Sequence, residues 1–194
     1  MAFPKISHIL LAYKMLEKED ILNFWFDECL PEQWFKKNSE FDATLESLFG
    51  TTVEDVFARR LDNWEETEAG CLALILVLDQ FTRNIFRDTP RAFSGDERAL
   101  DISQKCYGRG YIANPNIYWR KFMLMPMLHS EELAVQDASL PLFKEYTSQI
   151  DYEYAVRHRD IIAQFGRFPH RNTILGRPST DEELEFLTQP GSSF

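Results

Sequence analysis

The chain has 194 residues with a net charge of −10, and 44% of them are hydrophobic. The negative charge disfavours partnership with nucleic acid or an anionic membrane. The longest apolar stretch, residues 71–78, is far shorter than the ~20 residues that span a bilayer. The three cysteines form no CxxC pair, and no signal peptide is visible, so we expect reduced, buried thiols in a cytoplasmic protein.

Apolar residues recur with helical spacing along the chain, and no segment alternates with period two. The first predicted helix begins at Asp20 and ends at Pro31. A second begins at Ser39 and is broken at Gly50, and a third begins at Thr67 and continues to about residue 86. Because residues 71–78 are apolar on every side, this third helix is expected to run through the middle of the fold.

The second half of the chain shows the same helical pattern. A capping box with Ser94 as the cap opens a helix that ends at Gly108. The next helix follows Pro115, and Pro126 is expected to kink or stop it. Ser130 then caps a further helix.

The last two predicted helices complete the domain. One begins at Asp151 and ends at Gly166, and a capping box from Ser179 to Glu182 starts a short final one. The total of about eight antiparallel helices predicts a single all-α domain over residues 1–194, with its core at about 20–188 and frayed termini.

A carboxylate stands on the most buried helix. Asp79 follows the apolar run, and Arg83 lies one turn further on the same face. A buried carboxylate needs partners, because an unpaired one costs several kcal/mol. The pair either locks the helix against its neighbours or lines a pocket.

Arginines are crowded near the C-terminal end. Five lie within residues 157–177: Arg157, Arg159, Arg167, Arg171 and Arg177. Guanidinium groups on a rigid frame recognise phosphate or carboxylate, which favours an anion site. The alternative is that arginines after a helix C-terminus satisfy its carbonyl groups.

Three of the four histidines fall beside these polar segments. His129 precedes a helix start, His158 lies within an apolar stripe, and His170 neighbours Arg171. A metal site that combines them with Glu131 lacks HxxxH or HExxH spacing, so we predict no metal. No P-loop, GxGxxG or GxSxG motif occurs, no cofactor is predicted, and no thiol nucleophile is expected among the cysteines.

Several longer motifs accompany these residues: FWF at 24–26, WF at 34–35, LDQFxRN at 78–84, RAFSGD at 91–96, HSE at 129–131, FGRFPHRN at 165–172 and LGRPST at 175–180. Over residues 20–188 the chain resembles a widespread, mostly bacterial family of unknown function that is grouped with tetratricopeptide-like helical proteins. The resemblance implies tetratricopeptide-like packing of helical hairpins and implies no reaction. Thr82 replaces a frequent proline of that family, and Met127–Leu128 replace a usual Phe-Met, which leaves the polar positions intact.

We hypothesise that eight residues from three segments converge on one polar pocket: Asp79, Arg83, His129, Glu131, His158, Arg167, His170 and Arg171. The pocket would bind a small anionic molecule through its arginines, Asp79 would orient an arginine, and a histidine would carry any proton. Two alternatives stay open: a tetratricopeptide-like scaffold that binds a peptide or protein partner, and a buried network that only fixes helix packing.

Overall fold

The computed structural model describes residues 16–193, and all regular structure in that range is helical. The helices are α1 (Lys18–Asn23), α2 (Ser39–Phe57), α3 (Glu68–Ile75), α4 (Thr82–Ile85), α5 (Asp96–Gly108), α6 (Ile117–Leu128), α7 (Leu133–Tyr146), α8 (Gln149–Phe165) and α9 (Asp181–Leu187). A π-helical turn, Leu76–Phe81, joins α3 to α4. Counted as continuous rods, the described range therefore contains eight helices, which confirms the predicted all-α class.

The rod formed by α3, the π turn and α4 occupies the centre of the domain. Every residue from 70 to 82 is buried, and helices α1, α2, α5 and α6 pack around this rod. The prediction of a central helix is therefore confirmed. Consecutive helices from α5 to α8 also pack against each other; tetratricopeptide-like hairpin packing stays a prediction.

Helix α2 does not break at Gly50, so that prediction is wrong. The helix continues through the glycine to Phe57. An interior glycine costs a helix roughly 0.5–1 kcal/mol relative to alanine. The buried side chains of Phe49, Val53 and Val56, which flank the glycine, outweigh that cost by packing into the core.

Two predicted caps are also wrong. Ser94 donates its hydroxyl to the carbonyl of Arg91 over 2.7 Å, and Gly95 takes the N-cap position of α5 instead. Helix α7 begins at Leu133 rather than directly after Ser130, whose hydroxyl accepts the N–H of Glu132 over 3.2 Å. In both places a side chain closes a local turn outside the helix, which competes with capping.

The remaining boundaries lie close to their predicted positions, and α1 continues in a π-helical turn, Phe24–Glu28, which ends three residues before the predicted Pro31. Helix α6 contains the buried Pro126 and ends two residues later at Leu128. Ser148 caps α8, three residues before the predicted start at Asp151, and Gly166, the predicted C-terminal residue, caps its other end with φ 69°. The last capping box is formed by Thr180 and Glu183, one position after the predicted pair.

All three cysteines are buried, as the sequence predicts. Within the described residues, no helix is both long enough and apolar enough to cross a membrane. The cytoplasmic location stays a prediction.

Candidate functional site

The π turn places Asp79 in the centre of the domain. The N–H of Thr82 bonds to the carbonyl of Val77, five residues back, so this turn holds one more residue than an α-helical turn. The side chain of Asp79 is only 1% exposed. Such π turns occur frequently at functional sites.

Asp79 is surrounded by donors. His129 Nδ1 lies 2.6 Å from Asp79 Oδ1, Arg83 Nη1 lies 3.0 Å from the same oxygen, and the Gln80 amide donates to Oδ2. Burial opposes ionisation of Asp79, but Arg83 and then His129 outweigh it and hold the pKa of Asp79 below its usual range. Asp79 is therefore a carboxylate at neutral pH.

Asp79 also sets the tautomer of His129. Because a carboxylate only accepts, the imidazole must donate from Nδ1, which leaves Nε2 as the proton-accepting nitrogen of the neutral ring. Burial, assisted by Arg83, lowers the pKa of His129 despite the opposing attraction of Asp79. The side chain is 16% exposed. A neutral, oriented and partly accessible histidine has the properties of a general base.

Asp96 lies between two arginines. Its Oδ2 accepts from Arg83 Nη2 and from Arg171 Nη1, each over 3.0 Å, and its Oδ1 accepts from Arg83 Nη1 over 2.8 Å. The backbone positions it: a Cβ at Gly95 would lie 2.2 Å from the carbonyl oxygen of Leu78, so only glycine lets α5 start this close to the central rod.

The guanidinium group of Arg171 packs against two aromatic rings. Its guanidinium carbon lies 4.7 Å from the ring centroids of both Phe93 and Phe168. Nη2 donates to the carbonyl of His129 over 3.0 Å. Burial and the neighbouring Arg83 lower the pKa of Arg171 to about 10, so the group remains charged at neutral pH.

These contacts define an inner cluster of five residues: Asp79, Arg83, Asp96, His129 and Arg171. Four of them are predicted site residues, and Asp96 is an addition. The five residues lie in the central rod, at the start of α5, at the end of α6 and in the turn after α8. Two arginines and two carboxylates balance in charge.

Two further predicted histidines lie beside the inner cluster. The ring centroid of His158 is 6.3 Å from that of His129, and its Nδ1 donates to the carbonyl of Tyr154 over 2.8 Å. His158 and His170 each lie 5.6 Å, centroid to centroid, from Phe168. Burial lowers the pKa of His158 to about 3 and that of His170 to about 4, so both are neutral at pH 7.

Glu131 positions the loop that carries Arg171. It pairs with both terminal nitrogens of Arg177, at 2.6 and 3.0 Å, and accepts the N–H of Phe168 over 2.8 Å. These bonds lower the pKa of Glu131 against the effect of burial. Glu131 therefore holds Phe168 against Arg171 and is not bonded to the inner cluster.

The other arginines of the C-terminal group have separate partners. Arg167 pairs with Glu183 of α9 through Nε at 2.6 Å and Nη2 at 2.8 Å. Arg157 stacks on Tyr154, and Arg159 bonds to a surface carboxylate. Within the described chain, Arg171 is the only one of these five arginines that belongs to the inner cluster. A ligand-binding role for Arg167 stays a prediction.

Sequence reasoning missed Asp96 and Phe93, whereas it named Phe168, with Phe165, as a rigid frame for the arginines. Asp96 and Phe93 both belong to the quoted motif RAFSGD. The requirement for glycine before Asp96 is visible only in the fold, where a Cβ at Gly95 would clash with the carbonyl of Leu78. In residues 16–193 no group of three or more His, Cys, Asp or Glu side chains is arranged to hold a metal ion.

Comparison with known proteins identifies relatives of this chain. The profile of a family described as bacterial protein of unknown function (DUF924) matches residues 21–191. A solved structure, described as that of the protein of unknown function ATU0120 from Agrobacterium tumefaciens, is similar with a TM-score of 0.83. It is 36% identical, and the match covers 88% of this chain and 96% of that one. No curated protein matches the sequence.

Proposed function

This chain belongs to the DUF924 family of bacterial proteins of unknown function, and we propose that its inner cluster binds a small anionic molecule and exchanges a proton with it through His129. The observation that carries the proposal is the convergence of Arg83 and Arg171 on one carboxylate oxygen of Asp96. Two guanidinium groups that share one oxygen form the donor pattern that binds a carboxylate or phosphate.

One buried donor of the cluster lacks a partner. Arg171 uses Nη1 for Asp96 and Nη2 for the carbonyl of His129, and its Nε, which is buried, has no hydrogen-bond partner in the described part of the chain. The side chains of Arg83, Asp96 and His129 are 16–20% exposed, so the cluster reaches the surface. The proposed anion approaches from this side and binds beside the two arginines and His129.

Binding of an anion is expected to be coupled to protonation of a histidine, because the inner cluster has no net charge. The inner cluster carries two cationic and two anionic side chains, and burial favours the neutral form of His129, His158 and His170. A further anion adds negative charge, which raises the pKa of a nearby histidine. Binding is therefore expected to take up a proton and to tighten as the pH falls from 7.5 to about 6, near the ordinary histidine pKa.

The test is a thermal-shift screen of the purified chain with mono-, di- and tricarboxylates, inorganic phosphate and phosphate esters. A ligand at a hundredfold excess over its Kd stabilises the native state by about 2.7 kcal/mol. For a chain of this size, that raises Tm by roughly 5–10 °C. Calorimetry in two buffers of different ionisation enthalpy then measures the proton uptake.

Arg171→Lys is the informative variant, and Arg159→Lys is its matched control. Lysine keeps the charge but loses the planar fork that stacks between Phe93 and Phe168. The ligand-induced shift is expected to disappear in Arg171→Lys and to persist in the control. No stabilisation by any compound, or equal responses of the two variants, contradicts the proposal.

A protein-interaction scaffold is the second candidate, and exposed apolar side chains favour it. Phe35 and Tyr118 are 58% and 44% exposed, and both rings pack against Trp34, at 6.4 and 5.2 Å. Such a patch is typical of interaction surfaces. A partner that binds the wild-type chain and Arg171→Lys equally, but not Phe35→Ser, would establish this function instead.

A further inference from the structure

Asp96 fills the position between the two arginines of the inner cluster. Arg83 contacts both carboxylate oxygens, with Nη1 2.8 Å from Oδ1 and Nη2 3.0 Å from Oδ2, and Arg171 Nη1 donates to Oδ2 over 3.0 Å. A guanidinium group binds a planar anion with two adjacent oxygens in this way. The donors are therefore arranged for a carboxylate, and a side chain of the protein itself occupies the place.

The two arginines need an anion between them. Both donate to the same oxygen of Asp96, so two positive charges lie close together, and their side chains are only 19% and 8% exposed. A charge in such surroundings is costly when its partner is removed and nothing replaces it. We therefore expect Asp96 to leave this position only in exchange for another anion.

Asp96 is able to leave by a change of side-chain rotamer alone. It is the first residue of α5, directly after Gly95, and its side chain is 20% exposed, so one staggered rotamer change can bring the carboxylate into solvent. The N-terminus of α5 favours a negative charge in either position. The close contact of the Gly95 backbone with the central rod does not have to change.

We propose that Arg83 and Arg171 form a carboxylate subsite that Asp96 fills in the unliganded chain, and that a carboxylate of the ligand replaces Asp96 on binding. The inference rests on the proposed function and deepens it, because it names a carboxylic acid as the ligand and Asp96 as its competitor. The exchange replaces one carboxylate by another, so the same three hydrogen bonds form again. The displaced side chain stays attached to α5, so the ligand still adds negative charge near His129.

An internal competitor makes the subsite selective. A tethered group competes at an effective concentration that is roughly millimolar or higher. A simple monocarboxylate below this concentration therefore leaves Asp96 in place, whereas a ligand with a second contact displaces it. His129 is available for such a contact, because its carbonyl accepts from Arg171 and its side chain is 16% exposed.

The experiment compares Asp96→Ala with the wild-type full-length chain, and formate is the probe. The substitution removes a carboxylate of the size of formate and keeps both arginines. Formate is expected to raise the Tm of Asp96→Ala above the value in sodium chloride of equal ionic strength. The apparent Kd for formate, from the dependence of Tm on its concentration, is expected to be at least tenfold lower for Asp96→Ala than for the wild-type chain.

Glu97→Gln is the matched control. Glu97 is the next residue in the first turn of α5 and is exposed, so its substitution removes the same charge from the same helix end without opening the subsite. Its response to formate is expected to equal that of the wild-type chain. Circular dichroism verifies that each variant is folded, and Asp96→Asn, which also lacks the charge, replaces Asp96→Ala if the alanine variant is not.

Three results would overturn the proposal. Equal affinities of Asp96→Ala and the wild-type chain for formate would show that Asp96 does not compete, and would leave the proposed function intact with the anion beside Asp96. No response of the folded Asp96→Ala would show that the two arginines do not bind a carboxylate, while the ligand screen of the wild-type chain decides the proposed function separately. An equal gain in Glu97→Gln would assign the effect to the charge of the helix end.

Discussion

Arg171 donates through Nη1 to Oδ2 of Asp96 over 3.0 Å, although 75 positions separate the two residues. The same oxygen accepts from Arg83 of the central rod. This carboxylate therefore connects the start of α5, the central rod and the turn after α8 at one point.

Asp79→Asn is expected to destabilise the chain by about 3 kcal/mol, because removal of one partner of a buried ion pair leaves the other uncompensated. Arg83 retains Asp96, which limits the loss. Chemical denaturation of Asp79→Asn beside Asp160→Asn measures the difference, since Asp160 is 63% exposed and its substitution is expected to change stability by less than about 0.5 kcal/mol. A ligand response that survives unchanged in Asp79→Asn would favour the purely structural role of the network.

Gly95→Ala tests the close approach of α5 to the central rod. The added methyl group would lie 2.2 Å from the carbonyl oxygen of Leu78, so the helix must shift, at a cost of about 1–3 kcal/mol. Gly108→Ala at the other end of α5 is the control, because nothing lies within 4 Å of its added methyl group. Alanine there is expected to be neutral or stabilising by up to about 1 kcal/mol. Equal unfolding midpoints for the two variants would contradict the expected strain.

Stability is expected to fall as the pH decreases from 6.5. His158 and His170 have folded-state pKa values of about 3 and about 4, below the ordinary 6.5. Between these values and 6.5 the unfolded chain binds more protons than the folded chain, so the free energy of unfolding rises with pH in this window. The stability from the neutral histidines is fully present above pH 6.5 and is lost as the pH falls towards 4.

Unfolding midpoints in denaturant between pH 4.5 and 7.5 measure this dependence. His158→Asn is expected to be less stable overall but to show a shallower slope, because one of the two titrations is removed. An unchanged slope in this variant would assign the pH dependence to other groups.

Glu183→Gln is expected to release α9 locally. Glu183 accepts from Arg167, from Asn172 and from the N–H of Thr180, which holds its pKa at about 2. Hydrogen exchange is expected to accelerate at the amides of α9 while those of α3 stay protected, since local opening leaves the core intact. Glu182→Gln, one position earlier and exposed, is the control. Equal exchange in both variants would show that the carboxylate does not hold α9.

Local sequence signals predicted much of the fold. The run at residues 71–78 predicted a central helix because uninterrupted apolar residues are stable only when every face is buried. Gly166 ended α8 because the left-handed conformation there suits glycine. The contact between Asp79 and Arg83 followed from a spacing of four residues within one helix.

The sequence by itself determined the helical class, the central rod and the one ion pair that lies within it, because each depends on residues at most a few turns apart. Only the tertiary structure decided that His129 bonds to Asp79 across 50 positions, and that Arg171 reaches the cluster while Arg167 pairs with Glu183. These contacts depend on how the helices pack against each other. Helical periodicity specifies which face of a helix is buried, but not which face of a distant helix it contacts.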